Sequence, residues 1–94
     1  MNIIIYPDPN KDLNVNEKVF VNAYKFFDKK KYKCIEDSKI DTLENYINNL
    51  NKKIKTITIL LDNYGIFIHK NINFILNNKH IKFIIHENDI HFLK

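Results

Sequence analysis

The chain has 94 residues with a formal net charge of +4 and a single cysteine, which allows one compact domain and excludes an internal disulfide framework. Ile, Lys and Asn make up half of it, while Arg, Gln and Trp are absent and Gly65 and Ala23 stand alone. That bias towards A/T-rich codons makes Lys and Asn the default polar residues. The lack of guanidinium forks argues against a site that clamps phosphate or carboxylate bidentately.

Residues Asn2 to Tyr6 form an apolar run closed by Pro7-Asp8-Pro9-Asn10, which reads as a central strand followed by a turn. Val15, Val19, Phe20, Ala23, Tyr24 and Phe27 recur at helical spacing behind an Asn14/Glu17 capping pair, so a first helix is expected from Val15 to about Lys30. Tyr32 to Glu36 alternates like an edge strand. Ile40, Leu43, Ile47, Leu50 and Ile54 predict a second helix ending near Lys52, with Asp41 and Glu44 as its capping pair.

Thr56 to Leu61 is β-branched and apolar, as in a strand covered on both faces, and it ends on Asp62-Asn63-Tyr64-Gly65. Ile68, Ile72, Ile75 and Leu76 predict a third helix to about Asn78, Ile81 to Ile85 a fourth strand, and Ile90 to Lys94 a further short strand. Alternating strands and helices give right-handed parallel crossovers. The expected fold is a single α/β domain over residues 1–94: a small doubly wound, flavodoxin-like sheet of order 2-1-3-4, with three helices on two faces.

In such a sheet ligands meet the carboxyl ends of the strands, which here carry Asp8, Glu36, Asp37, Asp62, Glu87 and Asp89. Asp8 and Asp62 flank the switch point. They could hold Mg²⁺, or one could accept a phosphoryl group with Lys82 or Lys94 as a phosphate contact. Their structural reading is that Asp and Asn end strands because they favour turns. The turn after the first strand has prolines where a phosphate-cradling loop needs glycines, which points away from a dinucleotide or P-loop site. His69, His80, His86 and His91 lack paired-ligand spacing, so no zinc is expected.

Ser38 and Thr42 look like helix-start residues, Thr56 and Thr58 lie inside a strand, and Cys34 reads as a small buried hydrophobe. No activated nucleophile stands out. Tyr6, Tyr64, Phe67 and His69 fall near the ligand edge and form the candidate patch for a protein partner. The net charge and the run Lys29, Lys30, Lys31 and Lys33 leave nucleic acid open as a partner, with a solvated loop as the plainer reading. No stretch is long and apolar enough for a membrane span, no signal precedes the first strand, and the lone thiol fits the cytoplasm.

The layout resembles the N-terminal catalytic domain of the serine recombinases, the resolvase and invertase family. Where that family's first strand reads Tyr-x-Arg-x-Ser, this chain has YPDPN: Tyr6 is kept, Asp8 replaces the arginine and Asn10 replaces the nucleophilic serine. KKYKCIEDSKIDTLENYINNL is similar to the second strand and following helix, and TITILLDNYG resembles the strand ending in Asp-Arg-Leu, with Asp62 retained and Asn63 for the arginine. The resemblance implies a resolvase-like shell that is catalytically inactive, because a phosphoserine link to DNA needs the missing serine and arginines. The chain given also stops before the long helix and helix-turn-helix of that family. The expected function is therefore a non-catalytic binding module, a macromolecular interaction or regulatory protein carried by a phage or other mobile element, needing no cofactor. The alternative is a Mg²⁺-dependent phosphotransfer or receiver-like domain using Asp8 and Asp62. A homodimer is compatible with either.

Overall fold

A computed structural model describes residues 1–86. Its four strands, β1 (Asn2–Tyr6), β2 (Tyr32–Glu36), β3 (Thr56–Ile59) and β4 (Lys82–Ile85), form one parallel sheet in the order β2-β1-β3-β4. The expected topology and switch point are present. The short strand expected over Ile90 to Lys94 lies outside the described residues, as do Glu87, Asp89, His91 and Lys94.

The order follows from burial. β1 and β3 are the most apolar runs and take the two central places, where both faces are covered: Ile3, Ile4, Ile5, Ile57 and Ile59 are fully shielded from solvent. β2 and β4 mix Lys and Glu with apolar residues and lie at the edges. In register, Ile3 stands beside Ile57, which stands beside Phe83, while Ile4, Thr58 and Ile84 line the other face.

Four α-helices surround the sheet: α1 (Val15–Tyr24), α2 (Leu43–Leu50), α3 (Tyr64–Lys70) and α4 (Ile72–Asn77); Asp37–Lys39 adds one 3-10 turn. The crossover from β1 to β2 runs in the opposite direction along the sheet from the later ones, so a right-handed connection puts α1 alone on one face. Phe20 of α1 packs there on Ile4, Tyr6 and Leu60. On the other face α2, α3 and α4 close over Ile3, Ile5, Ile57 and Ile59, with Leu43, Ile47, Phe67, Ile68 and Phe74 contributing.

Helix boundaries depart from the sequence expectation in three ways. α1 stops at Tyr24 instead of continuing to Lys30, and its buried residues are Phe20 and Val21; Val15 is 77% exposed and Val19 46% exposed. The stripe that meets the sheet runs Phe20, Tyr24, Phe27, and Val15 and Val19 lie off it. α2 starts one position past Thr42, whose hydroxyl accepts the Asn45 N–H at 3.2 Å, so Thr42 and not the Asp41/Glu44 pair provides the cap. Its other end turns on Asn51 at φ 50°, a left-handed position that Asn tolerates best after glycine.

The third difference is that the single third helix is two helices. They break at Asn71, which is buried, because its side chain is engaged twice: Oδ1 accepts the Leu43 N–H at 3.0 Å and Nδ2 donates to the Phe67 carbonyl at 2.9 Å. An orphan donor of the first turn of α2 is thus satisfied by a residue 28 positions away. The break re-phases the segment, so that Phe74 packs into the core while Ile72 and Leu76 face out.

Candidate functional site

The carboxyl ends of β1, β2 and β3 bring Asp8, Glu36, Asp37 and Asp62 to one edge, as the parallel topology requires. Each expected acid is built into its surroundings. Asp8 accepts the Asn10 N–H on Oδ1 and the Ser38 hydroxyl on Oδ2, both at 2.9 Å. The Asn10 backbone N–H first, and the Ser38 hydroxyl next, hold its carboxyl below the usual aspartate value of 3.8. Asp62 accepts the amide of Asn14 on Oδ2 at 2.9 Å and that of Asn16 on Oδ1 at 3.2 Å.

Asn14 does three things at once. Its Oδ1 accepts the Glu17 N–H at 2.8 Å, the Glu17 carboxylate accepts the Asn14 N–H at 3.1 Å, and its amide donates to Asp62. The expected capping box is therefore present. It also ties the start of α1 to the end of β3 across 48 positions.

Beside Asp62 lies a cleft of about 300 Å³. Glu17, Asp37, Asp41 and Asp62 line it with Lys70, and Ile40, Leu61 and Phe67 supply apolar walls. Ile66 stands at the cleft and is 71% exposed. One Asp37 oxygen is shielded from solvent without a hydrogen-bond partner. Among the described residues the ion pair is Lys39 with Glu36 at 3.8 Å, an exposed pair of small energetic weight.

Tyr6 is separated from the other three candidates of the patch. Tyr6 alternates onto the α1 face, buried in the smaller cluster, where its ring stacks on Tyr24 with centroids 3.8 Å apart and planes 9° from parallel. Burial first, and then the hydrogen bond with Tyr24, push the Tyr6 phenol well above its ordinary value. Lys29 completes the group: its Nζ lies 4.1 Å from the Tyr24 ring centroid, donates to the Tyr24 carbonyl at 3.0 Å and lies 3.5 Å from Cys34 Sγ. Tyr64 and Phe67 pack partly buried on the opposite face, and His69 is exposed on α3. The patch at the cleft thus consists of Phe67 with Ile66, a residue that the sequence reading passed over because an Ile in a helical run reads as core.

Asp8 and Asp62 share the edge but not their partners: a backbone N–H and a hydroxyl hold the first, two side-chain amides the second. Among the described residues no group of three or more His, Cys, Asp or Glu is placed to hold a metal ion. Lys82 opens β4, at the opposite end of the sheet from Asp62. It cannot serve as the phosphate contact for these acids, because parallel strands put their first residues at the far edge. No helix among the described residues is long and apolar enough to cross a membrane.

Comparison with protein families, with curated proteins and with solved structures returned no match.

Proposed function

We propose that the protein is a non-catalytic α/β binding module, an interaction or regulatory protein whose carboxyl-end cleft receives a segment of a protein partner. The observation that carries this reading is that its two central acids are both tied into the fold. Both oxygens of Asp8 and both of Asp62 already accept hydrogen bonds from neutral groups of the chain, which suits a rigid rim better than an open ligand set. Beside that rim Ile66 presents apolar surface to solvent next to Phe67. The resemblance of the sequence to the serine recombinase N-terminal domain points the same way, since Asp8 and Asn10 stand where that family has its arginine and serine.

The rival is Mg²⁺-dependent phosphotransfer through Asp8 and Asp62, favoured only by their common edge. A Mg²⁺ titration followed at the amides of both residues separates the two readings. The binding module shows no saturable shift, hydrolyses no phosphoester, and loses a captured partner on Ile66→Asp substitution. Saturable shifts with phosphoester turnover would establish the rival instead.

A further inference from the structure

The fold sorts charge by edge, and it does so in a chain whose composition would scatter lysine. The strand starts and the turns leading into them carry Lys30, Lys31, Lys33, Lys55, Lys79 and Lys82, all exposed. Asp28 is the one carboxylate at that amino edge among the described residues, and its Oδ1 is engaged by the Lys30 N–H at 2.9 Å. The opposite edge holds the carboxylates described above.

Helix dipoles explain part of the sorting. All helix N-termini of a doubly wound sheet point to the carboxyl edge, so Glu17 and Glu44 in first turns, and Lys25 and Lys52 just past helix ends, are placed as the dipole favours. Strands have almost no net dipole. Lys31, Lys33, Lys55 and Lys82 open strands and gain nothing of that kind. In register Lys33 stands beside Ile3 and shares its face of the sheet, whereas Lys82 stands beside Thr56 and belongs to the other face. Positive charge therefore borders this edge on both faces of the sheet. Phe26, in the turn after α1 and so at the same end of the sheet, is 91% exposed.

We propose that this amino edge binds single-stranded nucleic acid, the lysines following the phosphate backbone and Phe26 stacking on a base. A row of lysines supplies point charges without the forks needed to read base edges, so the binding is largely indifferent to sequence. An exposed ring at a basic edge can accept unstacked bases, and a closed duplex offers none. The edge is separate from the cleft assigned to a protein partner and stands or falls without it.

The test is fluorescence anisotropy of the full chain with a labelled oligothymidylate. With about four phosphates neutralised, affinity is expected to fall roughly 50-fold between about 50 and about 200 mM salt. Phe26→Ala is expected to weaken binding at least about fivefold. Lys31→Ala, Lys33→Ala, Lys55→Ala and Lys82→Ala together should abolish measurable binding with the thermal melt unchanged. Lys11→Ala with Lys18→Ala on the other edge, and Ile66→Asp in the cleft, should leave binding intact. Absence of binding at about 50 mM salt, equal loss from the Lys11/Lys18 variant, or tighter binding of an equal-length duplex would overturn the proposal. If variants at the amino edge lose a captured protein instead of the oligonucleotide, the edge is a protein surface and the proposal fails.

Discussion

The two faces of the sheet are built by different means. Under α2, α3 and α4, nine buried aliphatic side chains interlock, from Ile3 and Ile5 to Leu43 and Ile81. Under α1 the buried set is Ile4, Tyr6, Phe20 and Leu60, extended by Tyr24, Phe27, Tyr32 and Cys34. The first face gains stability from excluded water and close packing. The second relies on aromatic stacking and on polar ties at the rim, and one helix of 10 residues does the work of three. Order 2-1-3-4 makes this unequal division unavoidable, since only one crossover runs towards β2.

If the comparison is right, the largest loss comes from the first face. Ile57→Ala removes a fully buried side chain from the central strand and should cost about 2–5 kcal/mol in urea unfolding. A loss below about 1 kcal/mol would mean that this face is loosely packed. Asn71→Leu leaves the Leu43 N–H without its partner, while the Phe67 carbonyl keeps the Asn71 backbone N–H, and should cost about 1–3 kcal/mol, with exchange protection lost at Leu43.

On the second face Asn14→Ala removes a cap and the tie to Asp62, for about 1 kcal/mol by the same unfolding measurement. If Asn14→Ala destabilised more than Ile57→Ala, the contrast between the faces would be reversed. The smallest effect is confined to alkali. Folding raises the Tyr6 phenol above the ordinary value of 10.0, so the folded state holds that proton more tightly than the unfolded chain does. The resulting stabilisation is complete below pH 10.0 and is lost as pH climbs beyond it towards the folded value. Tyr6→Phe should therefore flatten the alkaline fall of the melting temperature while leaving neutral stability within about 1 kcal/mol.

The strands and their order could be read from sequence because a central parallel strand must be apolar on both faces, and NIIIY and TITILL satisfy that where YKCIE and KFII do not. The helix break could not be read. Asn71 sits in a chain where Asn is the default polar residue, and only its partners across 28 positions distinguish it from a solvated one. The same holds for the candidate site. Topology sent Asp8 and Asp62 to a common edge, but the groups that occupy them, Ser38, Asn14 and Asn16, are 30 to 48 positions distant and carry no local signal. The basic edge was visible only in its Lys29 to Lys33 part, since only the parallel topology brings Lys55, Lys79 and Lys82 to the same end of the sheet.

The place of β1 has a consequence for synthesis. It is made before the other three strands, yet one of its two ladders is with Thr56–Ile59, and the Met1 amine donates to the Lys53 carbonyl at 2.9 Å. A nascent chain must therefore carry Ile3 and Ile5 without Ile57 and Ile59 beside them until residue 59 has left the ribosome. Early release at a stalled codon before that point would yield a sticky fragment instead of a smaller folded one.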